Sequence, residues 1–317
     1  MRFFANTKID FIGRRNLAFI LSGLLILAGI ISLIINKGPV YSIDFTGGVA
    51  LEVDLTPAKE NARVLAIQEV RDALSEEGYG NVEIQEIKGR DQKNLVLIKT
   101  KTTSEGGEKL GDSILNALKK RFPNNIDEAN FLRLQDEVGP RIGGELREKA
   151  VLAIFWALLG IILYIWWRFE FSFGLAAVAA LFHDVIITIG IFSLTGREIG
   201  LPVVAALLTI VGYSLNDTIV VFDRIREDLK IYRKESYSSV INHSINETLS
   251  RTIITSLTTF LVVLSLFLFG GSVIHDFAFA LLIGVVVGTY SSIFIASPIL
   301  VEHFINKQKR MGTSRKK

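Results

Sequence analysis

Cysteine is absent from the 317 residues, which removes disulfides, thiol catalysis and Cys-ligated metal sites from consideration. Histidine occurs four times, at His183, His243, His275 and His303, and these lack metal-ligand spacing with one another. No G-x-S-x-G nucleophile elbow is present. The Gly pair that closes Ser42-Ile-Asp-Phe-Thr-Gly-Gly48 lacks the Lys and the following helix of a phosphate loop, and it reads instead as a tight turn or bulge in a strand. Two carboxylates in apolar runs, Asp184 and Asp217, are the minimum for intramembrane aspartyl proteolysis, but nothing around them supports it. No enzyme emerges from these absences, and neither a cofactor nor a nucleic-acid partner is expected. Long low-complexity segments are missing too. The first apolar run has no small-residue cleavage site at its end, so it reads as a retained helix.

What is present is segregated. Half of the chain is hydrophobic, yet 21% is charged, so polarity must sit in blocks. Apolar runs at 17–36, 150–167, 173–194, 203–224, 251–269 and 277–300 are each long enough to be read as crossing helices. Between the first and second lies a soluble block, 40–148. A polar connector at 228–250 carries Ile231, Val240, Ile241, Ile245 and Leu249 on one helical face, which predicts an amphipathic segment on the membrane surface. Basic residues concentrate in the N-terminal segment 1–16, at Arg168, from Arg224 to Lys234 and in the tail 303–317. Six crossings put all four on one side, the cytoplasmic one, with both termini inside and the soluble block outside.

The soluble block reads strand, helix, strand, strand, helix, strand. Val49, Leu51, Val53 and Leu55 alternate with Glu52 and Asp54 in a first strand over 41–55. Thr56-Pro57-Ala58 resembles a capped helix start. Val64, Ile67, Val70, Ala73 and Leu74 continue with helical period to Gly78. Strands at 82–87 and 94–100 flank Gly89-Arg90-Asp91, a second helix follows at 110–122, and Phe131-Leu-Arg-Leu closes the sheet. The order βαββαβ predicts a ferredoxin-like α+β domain. The fold class expected is a helical polytopic membrane protein with this domain inserted after its first helix.

Polar residues inside the apolar runs carry the functional reading. Asn216-Asp217 interrupts the run that starts at Val203, roughly 20 Å from Pro202 along a helix and therefore inside a hydrocarbon layer of about 30 Å. A carboxylate there costs on the order of 2.5–3.5 kcal/mol and defaults to function. Arg251, Thr255, Thr258 and Thr259 share a helical face, and the long Arg251 side chain has the reach to meet Asp217. Such a pair makes a poor static brace, because both charges lose their water. With an acid that takes up a proton, it is a switch. The competing reading is a fixed ion pair that holds helices together. His183-Asp184 sits mid-run, suited either to proton relay or to bonding a neighbouring helix. His275-Asp276, at the outer end of the last run, is an interfacial pair or an entry point. Gly284, Gly288 and Ser292 form a small-residue ridge for helix packing.

The run Val211-Gly-Tyr-Ser-Leu-Asn-Asp-Thr-Ile-Val-Val-Phe-Asp-Arg-Ile-Arg-Glu227 resembles the signature of the SecD/SecF family of protein-export membrane proteins, within the RND superfamily. Agreeing with it are Ile43-Asp-Phe-Thr-Gly-Gly48, Leu181-Phe-His-Asp-Val185, Arg251-Thr-Ile-Ile-Thr-Ser-Leu-Thr-Thr259 and Leu268-Phe-Gly-Gly271. The resemblance implies a bacterial inner-membrane subunit that joins a second six-helix half, SecD. It implies use of the proton-motive force to promote preprotein export through SecYEG with SecA, with YajC and YidC as further associates. By position, Asp217 and Arg251 match the family's proton-pathway residues, and Asp276 matches less closely. Asn216, His183, Asp184 and Thr255 complete the candidate set. The residues alone also admit a small-molecule exporter or a membrane scaffold without ion movement, and sodium in place of protons.

Overall fold

In a computed structural model the chain divides into two units, one built from residues up to Val40 together with Ala153 onward, the other from Tyr41–Leu152. The structure describes residues 7–59, 63–80, 82–88, 94–101 and 107–314. The turn Gly89-Arg90-Asp91 and the last three residues of the basic tail lie outside them.

The smaller unit holds α2 (Ile43–Thr46), β1 (Gly48–Asp54), α3 (Ile67–Glu76), β2 (Glu83–Lys88), β3 (Asn94–Thr100), α4 (Gly107–Arg121) and β4 (Leu132–Val138). The sheet is antiparallel throughout in the order β2-β3-β1-β4. Strand β1 is interior to the sheet, and its residues Val49, Leu51 and Val53, with Leu55 just after it, are fully buried. They meet Val70 and Leu74 of α3, Ile114 and Leu118 of α4, and Val96 and Ile98 of β3 in one core, as period-two alternation requires.

Two local expectations change here. Residues 42–46 are not strand but a single helical turn, because the Ser42 hydroxyl accepts from the Asp44 N–H at 3.2 Å and caps it. Gly47 then leaves the turn at φ +74°, a region that favours glycine. The only register shift in the β1 pairings lies opposite β4, at Glu52/Val53. Thr56-Pro57-Ala58 does not start a helix: the Thr56 N–H and hydroxyl both turn back to the Asp54 carboxylate, and α3 begins at Ile67 after an extended Ala66.

The larger unit contains α1 (Arg15–Ile35), the later part of α5 (Pro140–Arg168), α6 (Phe171–Thr195), α7 (Leu201–Ile231), α8 (Tyr237–Phe269), α9 (Ser272–Ser291), a π-helical turn (Ser292–Ala296) and α10 (Ser297–Ser314). Among the described residues six helical spans, with α9 to α10 counted as one, are long and apolar enough to cross a membrane. They differ in their surroundings. In α6, α7 and the last span 56% of the apolar window is buried within the chain, against 17% in α1 and α8 and 6% in α5. The first three make the interior, and the others present most of their surface outward.

Small residues set the closest contacts. A Cβ on Gly29 of α1 would lie 2.7 Å from the Gly190 Cα of α6, so these helices cross backbone to backbone. One turn on, Ser32 and Ser193 hydroxyls bond at 2.8 Å. Gly284 and Gly288 of α9 face Ile210 and Ser214 of α7, the packing role expected of that ridge.

The connector expected on the membrane surface at 228–250 is absent as a separate element. Helix α7 runs on to Ile231, a short turn follows, and α8 extends unbroken from Tyr237 through Arg251. Val240, Ile241, Ile245 and Leu249 are buried in the protein core rather than against lipid. The N-terminal residues cover this extension, with Phe11 N–H donating to Asn242 Oδ1 at 2.8 Å and Ile9 N–H to Asn246 Oδ1 at 2.9 Å. The last span likewise starts earlier than expected: Ser272 opens α9, so His275 and Asp276 belong to its first turns, not to a loop.

Candidate functional site

Two buried carboxylates within the apolar runs, Asp184 and Asp217, define the polar interior at membrane depth. Along α7 the residues Ile210, Ser214, Asp217, Val221, Ile225 and Asp228 are all buried, at steps of four, three, four, four and three, which is one helical face. Ser214 and Asp217 are therefore about 5 Å apart along the axis, and they serve different clusters.

Asp184 of α6 is 1% exposed. Its Oδ2 accepts from the Ser214 hydroxyl of α7 at 2.5 Å and the Ser291 hydroxyl of α9 at 2.8 Å. Its Oδ1 lies 2.9 Å from His183 Nδ1. The other ring nitrogen of His183 is 2.9 Å from Ser22 Oγ of α1, which contacts Tyr290 Oη at 3.1 Å. Tyr290 donates onward to the Ala18 carbonyl at 2.9 Å. This carboxylate ties four helices together through side chains that have no other charge to answer, with three close contacts on its two oxygens. It is a fixed node.

Asp217 is 3% exposed and far less held. The Ser256 hydroxyl of α8 donates to its Oδ2 at 3.2 Å, longer than the usual range of about 2.5–3.0 Å for a hydroxyl donor. Ser256 is in turn 2.7 Å from the Thr289 hydroxyl of α9, which also lies 2.7 Å from its own Val285 carbonyl. On the same face of α8, one turn earlier, Thr252 is 1% exposed, and its hydroxyl has no hydrogen-bond partner. A buried acid held by one long hydroxyl contact can accept a proton or a cation without breaking a strong bond.

The structure brings together only some of the expected residues. His183 and Asp184 form the fixed node. Asn216 lies outside both clusters, on the exposed face of α7. Arg251 makes no ion pair among the described residues and its side chain is exposed, yet it lies near enough for its charge to act on the Asp217 carboxylate. The phase of α8 explains this. The face with Arg251, Thr255, Thr258 and Thr259 points out of the chain, and the Thr255 hydroxyl bonds back to the Arg251 and Thr252 carbonyls at 2.9 Å, as Ser and Thr often do in helices. The buried face of α8 instead carries Leu249, Thr252, Ser256 and Val263. Asp276 pairs with Arg197, whose guanidinium stands over the Phe279 ring at 4.2 Å and contacts His275 Nδ1 at 3.1 Å.

Several participants were not singled out in the sequence, among them Ser22, Ser214, Ser256, Thr289 and Ser291. The signal that points to Ser256, Thr289 and Ser291 is a pair of hydroxyls four apart in an apolar run, Thr252 and Ser256, and the polar stretch Thr289-Tyr-Ser-Ser292 in the middle of the last span.

The exposed face of α7 has its own character. Ala205, Thr209, Gly212 and Asn216 are all open, four, three and four residues apart, and a Cβ on Gly212 would meet nothing within 4 Å. Small and polar residues in a row at membrane depth suit a neighbouring helix better than lipid chains.

Comparisons with known proteins agree with this architecture. The family model "Protein export membrane protein SecD/SecF, C-terminal" matches residues 118–305. A curated "Protein translocase subunit SecF" from Endomicrobium trichonymphae is 42% identical over 312 residues, 98% of this chain and 96% of the relative. Its counterpart from Desulfurispirillum indicum is 48% identical over 297 residues, 92% of this chain and 91% of the relative. The crystal structure of SecDF, a translocon-associated membrane protein from Thermus thermophilus, superposes with a TM-score of 0.78 at 39% identity and covers 94% of this chain. A SecDF structure in a super-membrane-facing form gives a TM-score of 0.69 at 38% identity over 99% of this chain. The chain spans only 39% and 41% of the length of those two SecDF chains.

Proposed function

The chain belongs to the SecD/SecF family of protein-export membrane proteins, and from that premise we propose that it is the SecF-type half of a proton-driven assistant to preprotein export. Its partner is a SecD-type half that supplies the other six helices. The assembly works beside SecYEG and SecA, with YajC and YidC as associates, and draws on the proton-motive force. The smaller unit is the ferredoxin-like domain on the outer side of the inner membrane, where it handles the emerging chain, and both termini are cytoplasmic. The clustering of basic residues at one end of the spans supports that orientation.

The observation that carries this reading is the unequal treatment of the two interior carboxylates. Asp217 is lightly held, and it sits one helical face away from the open stripe Ala205-Thr209-Gly212-Asn216. Docking a second half on that stripe closes the site at an interface between repeats, where secondary transporters place their coupling groups. Arg251, on the open face of α8, is then available to the assembled interior. Asp217 gains and loses the proton; Arg251 compensates its charge. Asn216, Thr255 and the Asp276–Arg197 pair serve the route to it, while His183 and Asp184 hold the helices in place.

Gradient-dependent preprotein export into inverted vesicles tests this. Asp217→Asn is expected to leave the complex assembled, on co-purification with the SecD-type partner, and to abolish stimulation by an imposed proton gradient. Full stimulation by the variant would remove the coupling role. Imposing proton and sodium gradients separately distinguishes the two ions.

A further inference from the structure

The turn between α7 and α8 encloses one side of a cleft of about 870 Å³. Four cations line it: Arg226 and Lys230 from the last turns of α7, and Arg233 and Lys234 from the turn itself. Only two carboxylates, Glu170 and Glu235, face them there. Glu235 already accepts from the Ser239 hydroxyl at 2.8 Å. Arg226, Lys230, Arg233 and Lys234 make no ion pair among the described residues. The floor is aromatic and firm: Tyr237 stacks on Phe304 at 4.9 Å, and Phe304 meets the buried Phe173 edge-on at 6.0 Å. Helix α8 also starts at this cleft. Ser236 caps it by accepting from the Ser239 N–H at 3.2 Å, which leaves the Tyr237 and Ser238 N–H groups at the cleft without partners inside the helix.

The depth of this cleft is readable from its neighbours. Lys230 lies roughly 12 Å beyond Phe222, where the apolar run of α7 ends. At the same end α5 finishes with Trp166 and Trp167, 69% and 83% exposed, and α6 opens with Phe171, 72% exposed. Exposed Trp residues mark the interface of a bilayer. A net-positive cleft with an aromatic floor therefore opens at the membrane surface, its Glu170 and Phe173 edge next to the interfacial Trp residues and its α7 cations reaching to the outer edge of a headgroup layer about 5–8 Å deep.

We propose that this cleft binds the phosphate of an anionic phospholipid, with Lys230 and Arg233 on the phosphate and the Tyr237–Phe304 floor under the glycerol and upper acyl chains. Lys and Arg in such pockets recognise anionic headgroups by charge, and guanidinium adds paired donors to phosphate oxygens. The site lies on the only turn that joins the helix of Asp217 to the helix of Ser256, so an occupied cleft steadies the relative position of those two helices. The proposal needs only the six spans and does not depend on proton coupling at Asp217.

Thermal unfolding of the delipidated full-length chain in neutral detergent, titrated with phosphatidylglycerol, phosphatidylcholine or inorganic phosphate, tests it. Phosphatidylglycerol is expected to raise the midpoint saturably, and phosphatidylcholine and inorganic phosphate are not. Lys230→Gln with Arg233→Gln balances the cleft's charge, and at low salt it should raise the half-saturating lipid concentration roughly tenfold or more. Lys8→Gln with Arg14→Gln, two exposed cations elsewhere on the unit, should change nothing. Should the double variant fold poorly, Lys234→Glu in the exposed turn gives the same direction of shift without altering a helix. Equal responses in the cleft and control variants would overturn the proposal. So would stabilisation by inorganic phosphate alone, which marks a soluble phosphate site, or a response to polyglutamate but not to lipid, which marks a protein partner.

Discussion

Asp184 and Asp217 are the same residue type, on adjacent interior helices, buried to 1% and 3% exposure, yet the fold treats them oppositely. Asp184 is met by two hydroxyls and an imidazole from three helices, all within 2.9 Å. Asp217 is met by one hydroxyl at 3.2 Å. Burial alone does not separate a structural carboxylate from a working one. The number and closeness of its donors do, because each close charge-assisted bond fixes the group and the helices that supply the donors.

The largest effect that would test this contrast lies at Asp184. Replacing it by Ala leaves Ser214, Ser291 and His183 facing an empty site, and removing one member of a buried charged network costs on the order of 3–5 kcal/mol. Thermal unfolding in detergent should show a large drop, with Asp184→Asn recovering part of it because its shape and one acceptor remain. Asp217→Asn should change unfolding by about 1 kcal/mol or less, since only one long hydrogen bond is altered. Equal losses at the two positions would dissolve the distinction, and with it the argument that Asp217 is free to change its charge.

A smaller effect is expected at Ser256. Ser256→Ala removes the one direct donor to Asp217 and should lower stability by about 0.5–1.5 kcal/mol, while Thr255→Ala, whose hydroxyl only bonds back to its own helix, should fall below that. The pair checks the phase of α8. A larger loss at Thr255 would mean that the face carrying Arg251 points inward.

That phase is also where sequence reading stopped. A charge at the middle of an apolar run is visible in one dimension, so Asp217 and the His183-Asp184 pair stood out at once. The six spans and the strand order of the smaller unit were legible for a similar reason: long apolar runs and period-two alternation are coarse signals that survive small errors of boundary. Ser256 and Thr255 differ by one position, about 100° around the helix, and hydroxyls are common in such helices because they satisfy themselves on carbonyls one turn back. Nothing local distinguishes the one that reaches across. The stretch at 228–250 misled in the opposite way: its apolar face is real, but Ile241, Ile245 and Leu249 join the core of the larger unit, and amphipathicity looks the same whether the cover is lipid or protein.

A third carboxylate, outside the spans, gives the smallest and most easily read contrast. Asp54 ends β1, is 8% exposed, and is held like Asp184 rather than Asp217. Burial pushes its carboxyl up, but the Thr56 hydroxyl, the Arg133 guanidinium at 2.9 Å and the Thr56 N–H together hold it below the ordinary value of 3.8. Because the folded value is the lower one, this contact stabilises the smaller unit fully above the unfolded carboxylate range and is lost as pH falls through the folded value. Arg133→Gln removes one of the groups that hold the carboxyl down, so the acid transition should begin at a higher pH than in the parent chain. Hydrogen exchange of the β1 and β4 amides in the full-length protein, corrected for intrinsic rates and followed from neutral pH downward, measures it. Arg133 is 36% exposed on its side chain, so the shift should be modest and shrink with added salt. An unchanged acid transition in the variant would mean that Thr56 alone secures this carboxylate, its hydroxyl and N–H sufficing to fix an acid without the guanidinium.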